Sequence, residues 1–144
     1  MIYAGESNNI LYGGAGNDIF YAGAGNDRFD AGDGNNIFCG SEGDNLYIAA
    51  NGNNLAYAGS GNDVFAFGNG NNTIYASKGN NRITTGNGID LIFTGAGNDV
   101  IRLGKGNKTI YAGEGNNQVI AGNGNNLIYA GAGNDIIKTG AGVM

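Results

Sequence analysis

The sequence has no histidine, no proline and no tryptophan, one cysteine, and only 13% charged residues. Without histidine, neither a Ser/His nor a Cys/His nucleophile pair can be assembled. Cys39 is alone, so no internal disulfide can form and cysteine usage says nothing about compartment. The lack of proline rules out a collagen-like chain, which also needs glycine at every third position. No basic start leads into an apolar run, so no cleavable secretion signal is read, and no apolar stretch is long enough to span a bilayer. A net charge of −5 and a pI near 4.3 disfavour nucleic acid and anionic membranes as partners.

What is abundant is glycine, with 30 residues, and it falls in register. A nine-residue unit runs from Ala4 to Lys138 without insertion or deletion, and Met1 to Tyr3 and Thr139 to Met144 are its two halves. The unit reads small, Gly, variable, Gly, Asn, Asp or Asn, variable, large apolar, variable. Position 4 is Gly everywhere except Ser7, whereas position 2 varies at Ser41, Ala50 and Ser77. Gly and Asn tolerate positive φ, so Gly-x-Gly-Asn-Asx is a recurring tight turn, with position 4 the more constrained. Regularly spaced Ile, Phe, Leu and Tyr argue against disorder. Such a period marks a solenoid, in which a unit too small to fold alone buries its apolar residue against its neighbours.

Position 8 carries the apolar residue, as at Leu11, Phe20, Phe29, Phe38, Phe65, Ile83, Ile101 and Ile137. One inward residue between two outward ones predicts a three-residue strand. Two units then make a coil, and eight coils stack as parallel strands into a rod roughly 40 Å long. The expected fold is therefore all-β, a parallel β-roll of two facing sheets, with residues 1–144 forming a single repeat domain. An antiparallel meander of hairpins is the competing topology. Position 9 discriminates between them. On one parity it reads Tyr3, Tyr21, Cys39, Tyr57, Tyr75, Phe93, Tyr111 and Tyr129, and on the other it is mixed. A two-sheet coil explains an aromatic column at every second unit and a meander does not. Because that row points outward, one sheet face should be a broad apolar strip.

A longer period places Asp27, Asp63, Asp99 and Asp135 at position 6 of alternate coils, with Asn9, Asn45, Asn81 and Asn117 between them. Two carboxylates about 4.8 Å apart repel by roughly 3 to 4 kcal/mol at an effective dielectric of 20, and interleaved Asn relieves this. Runs such as Gly13-Gly14-Ala15-Gly16-Asn17-Asp18-Ile19-Phe20 resemble the nonapeptide of the repeats-in-toxin (RTX) proteins, and the resemblance covers the whole chain. It implies a β-roll secreted from the cell, with Ca²⁺ gripped by position-6 Asp residues and turn carbonyls. Carried over, the metal candidates are Asp18, Asp27, Asp63, Asp90, Asp99 and Asp135, with Asp27, Asp63, Asp99 and Asp135 preferred. The chain departs from that pattern where position 6 is Asn, and at Lys108, which puts a cation where an ion would sit. The alternative for these residues is an Asx hydrogen-bond ladder along the rod.

Other motifs carry little. Asp30 and Asp33 are neighbours on a turn, and Gly104-Lys105-Gly106-Asn107-Lys108-Thr109 lacks the final Gly and the helix of a phosphate loop. Position 3 has no Thr row of the kind that binds ice. The chain reads as non-catalytic. No capping unit is visible, and the half-unit ending at Met144 is completed by another copy's Met1 to Tyr3, so head-to-tail stacking into a filament is expected. Met1 and Met144 would meet at that junction. The strip of Tyr3, Tyr21, Tyr57, Tyr75, Phe93, Tyr111 and Tyr129 would join filaments laterally. The leading expectation is a self-assembling structural protein, and the runner-up is a secreted module that folds on binding Ca²⁺.

Overall fold

A computed structural model describes residues 1–142. Sixteen short strands follow the repeat. The first eight are β1 (Ile2–Tyr3), β2 (Ile10–Tyr12), β3 (Ile19–Tyr21), β4 (Arg28–Asp30), β5 (Ile37–Cys39), β6 (Leu46–Ala49), β7 (Leu55–Tyr57) and β8 (Val64–Phe67). The rest are β9 (Thr73–Ser77), β10 (Arg82–Thr85), β11 (Asp90–Thr94), β12 (Val100–Leu103), β13 (Lys108–Gly113), β14 (Gln118–Ala121), β15 (Leu127–Ala130) and β16 (Ile136–Thr139). Odd strands form one eight-stranded sheet and even strands the other, in sequence order. Every pairing is parallel, with partners such as Ile83 and Ile101 eighteen residues apart, which settles the choice between roll and meander. The register shifts by one after Phe93 and again between Tyr111 and Gly113, bulges that coincide with left-handed backbone at Ser77 and Gly113.

Position 4 has positive φ in the turns, from Ser7 at 90° to Gly97 at 153°. A second constraint comes from stacking: a Cβ on Gly34 would overlap the Gly16 carbonyl one coil away. Glycine is required there both for its φ and for close approach of the backbones.

The interior is fuller than one side chain per unit. Position 8 is buried from Leu11 to Val119, as expected. Position 1 also turns inward, at Ala22, Ala31, Ala49, Phe67, Ala76, Leu103 and Ala112, and so does position 6. The three-residue strand expected from the sequence therefore gives way to inward alternation at positions 6, 8 and 1, the strand running on into what reads as turn. Phe20 and Phe38 stack at 5.2 Å, and Phe29, Tyr47 and Phe65 at 4.8 and 4.6 Å. Across the sheets, Phe29 meets Phe38 edge-on at 5.9 Å. Ala56 is the small member of the position-8 row, and it would leave one face of Phe38 without a ring. Phe67 covers Phe38 from the opposite sheet, with centroids 5.5 Å apart.

Outside, Tyr57, Tyr75, Phe93, Tyr111 and Tyr129 form an unbroken stack with centroids 4.8 to 5.0 Å apart. Tyr3 and Tyr21 form a second stack, and Cys39 separates the two. Met1 lies at the exposed N-terminal end, and Met144 lies outside the described residues. Phe67→Ala should cost about 3 to 5 kcal/mol in chemical denaturation. Adding Ala56→Phe to it should return part of that loss, and strictly additive effects would contradict the compensation.

Candidate metal centre in the turns

The turns that lead into even strands line one edge of the rod, the even edge, and those that lead into odd strands line the odd edge. On the even edge, each position-6 side chain accepts the backbone N–H of its counterpart one coil earlier. Asn9 N–H donates to Asp27 Oδ1 at 2.8 Å, Asp27 to Asn45 at 2.8 Å, Asn45 to Asp63 at 3.0 Å and Asp63 to Asn81 at 3.0 Å. The row continues through Asp99 and Asn117 to Asp135. The same rungs join Asp18 to Asn36, Asn54, Asn72 and Asp90 on the odd edge. The Asx ladder read from the sequence is thus present, and it is buried.

The second branch of the side chain faces the turn. Asn45 Nδ2 donates to the carbonyls of Ser41 and Gly43, and Asn81 Nδ2 to those of Ser77 and Gly79. Asn9 and Asn117 repeat the pattern. On the odd edge, Asn36, Asn54 and Asn72 meet the position-4 carbonyl of their own turn. At Asp27, Asp63 and Asp99, Oδ1 is held in the ladder as before, which leaves Oδ2 in the amide's place beside those carbonyls. Oδ2 of Asp18, Asp27, Asp63 and Asp99 is buried with no hydrogen-bond partner among the described residues. Such an atom calls for a proton or a cation.

The six candidate aspartates do not share one environment. Asp135, in the last coil, is less buried than Asp27, Asp63 and Asp99. Asp90 already has a cation, because the Lys108 ammonium lies 2.6 Å from its Oδ2 and both side chains are fully buried. Thr85 Oγ1 donates to the same oxygen at 2.7 Å. Among the described residues, no three Cys, Asp or Glu side chains gather at one point.

A family model of the RTX calcium-binding nonapeptide repeat matches the chain in four copies, over residues 3–38, 40–74, 75–110 and 111–143. The chain belongs to this family. No curated protein and no solved structure matches it. RTX nonapeptides are calcium-binding motifs, and the donor set here fits a hard cation in kind: a carboxylate oxygen beside turn carbonyls. It is thinner than calcium's usual six to eight oxygens, so water would complete the shell.

Without an ion, two of these RTX carboxyls, Asp63 and Asp99, are held above the usual carboxylate range. Burial pushes Asp63 up from 3.8 to about 6, partly offset by hydrogen bonds from Asn45, and burial likewise raises Asp99. Between the ordinary value and about 6 the folded chain keeps a proton on Asp63 that the unfolded chain has released, so stability falls with rising pH across that window. Above it the full penalty of the buried charge applies. In chelator, the melting temperature should therefore drop between pH 5 and pH 7.5. Asp63→Asn, whose amide can reach the turn carbonyls, should flatten part of that drop and add roughly 1 to 3 kcal/mol at pH 7.5. A profile unchanged by the substitution would contradict the assignment.

Proposed function

We propose that this chain is a non-enzymatic structural rod, working outside the cell, that takes up calcium at its Asp-bearing turns and joins other copies end to end. The calcium reading is carried by the four buried carboxylate oxygens that no described residue satisfies. On the even edge the ion would be held by Asp27 with the carbonyls of Gly23 and Gly25, by Asp63 with Gly59 and Gly61, and by Asp99 with Gly95 and Gly97. Asp18 is the corresponding residue on the odd edge. A bound calcium supplies positive charge that neutralises the carboxylate and meets the carbonyl lone pairs. The alternation with Asn means that half of the even-edge turns are closed by their own amides. Calcium then reinforces a rod that the Asn turns already hold, and is not a condition for folding.

End-to-end joining is favoured by the uniform register, since any exposed strand edge presents the same pattern that receives the next coil. In β16, Ile136 and Ile137 are 53% and 44% exposed, whereas Val119, one coil earlier in the same row as Ile137, is fully buried. Another copy's first coil would cover them and extend the outer Tyr stack past Tyr129, and the stack itself offers a lateral contact. Absence of His, and burial of Asp63 and Asp99 against turn backbone, fit a chain without catalysis.

Circular dichroism melts and electron micrographs of one preparation test both parts. Strand signal should survive chelator, and calcium at a hundred times its dissociation constant should stabilise by about 2.7 kcal/mol per site. Rods longer than one chain should appear as concentration rises. A melting temperature indifferent to calcium at pH 7.5 removes the first part, and single-chain particles at every concentration remove the second.

A further inference from the structure

The step from Asp90 to Lys108 differs from the other described steps of the two edges. Elsewhere position 6 passes an Oδ1 acceptor from coil to coil, but Lys108 has none to offer the Asp90 N–H. The row resumes one coil later, where Lys108 N–H donates to Asn126 Oδ1 at 3.1 Å. In place of the lost rung, the side chain reaches back a full coil. Its Nζ donates to Gly88 O at 2.7 Å, to Gly86 O at 3.4 Å and to Asp90 Oδ2 at 2.6 Å. Gly86 and Gly88 hold, in the Asp90 turn, the positions that Ser41 and Gly43 hold beneath the Asn45 amide.

The oxygens around this ammonium are one carboxylate and two turn carbonyls, the set that elsewhere faces a buried Asp oxygen with no partner. We infer that Lys108 is a tethered counter-ion standing in the metal's place at the Asp90 turn. That turn is thereby closed to calcium, and the odd edge is held there without an ion. The inference rests on the reading that Asp-bearing turns accept calcium. Charge and geometry both support it. The pair is neutral and desolvated on both sides, and an incoming ion would have to expel the ammonium and leave it buried without a partner, a costly arrangement. Lys108 is also the single basic residue at position 6, and the residue one coil earlier is an aspartate.

Lys108→Asn tests this in the full chain, because Asn restores the ladder acceptor and leaves the buried Asp90 carboxylate without a cation, its Oδ2 held only by the Thr85 hydroxyl. Calcium stoichiometry by titration calorimetry and melting temperature with and without chelator are the readouts. The variant should bind one more calcium than the parent, melt at least roughly 5 °C lower in chelator, and recover when calcium is added. Folding only in the presence of calcium supports the inference equally. The double variant Asp90→Asn/Lys108→Asn, with an amide at both positions, should regain stability in chelator and lose the added site. Unchanged stoichiometry, or a loss that calcium does not repair, overturns the inference. A parent that binds no calcium beside a variant that binds one overturns the reading of the Asp27, Asp63 and Asp99 turns and upholds this one.

Discussion

Each nine-residue turn directs backbone carbonyls toward a buried position-6 side chain, and those carbonyls have to be met by something positive. Bulk water does not reach them in the middle coils, where position 6 is buried. The chain solves the problem in three chemically different ways. Asn45, Asn81 and Asn117 supply an amide from the same turn. Lys108 supplies an ammonium from the next coil. Asp27, Asp63 and Asp99 supply neither, and present an oxygen that only a proton or a cation can reconcile with its surroundings. The charge of a turn, and the proposed uptake of calcium there, follow from which solution it uses.

The same residues tie successive coils together. Inner Asx side chains accept the N–H of the preceding coil, as Asp63 does from Asn45. Outer Asx side chains at position 5 accept from the following coil, as Asn62 does from Asn80 and Asp44 from Asn62. Two ladders of opposite polarity therefore flank the turn and satisfy backbone donors that a strand ladder would not reach. With stacked rings inside from Phe20 to Phe65 and outside from Tyr57 to Tyr129, the contacts run along the rod axis, and each coil depends chiefly on its neighbours.

Much of this was legible in the sequence, because residues eighteen apart become stacked neighbours and a vertical column can be read as easily as a horizontal one. The parity of Tyr57, Tyr75 and Tyr111 gave the two sheets, and the alternation of Asp63 with Asn81 suggested a ladder along the rod but not that it is buried. Position 1 was not legible as core, since Ala22 or Ala76 beside Gly looks like the start of a turn. Phe67 and Leu103 were the available signals that bulk is accepted there. The turn carbonyls were out of reach, as their direction is set by backbone angles and not by residue type. Lys108 lay between these cases. Its column and charge were visible, but only the structure shows the chain reaching back to Gly88 instead of out to solvent.

The central claim, that the chemistry of position 6 decides where a cation sits, is tested most directly by anomalous diffraction from crystals grown in calcium and soaked with a lanthanide. The account predicts peaks beside Asp27, Asp63 and Asp99, none at the Asn45 and Asn81 turns, and none at the Asp90 turn, where the ammonium resides. A peak beside Asp90 with Lys108 turned away, or turns at Asp27, Asp63 and Asp99 without any, would contradict it.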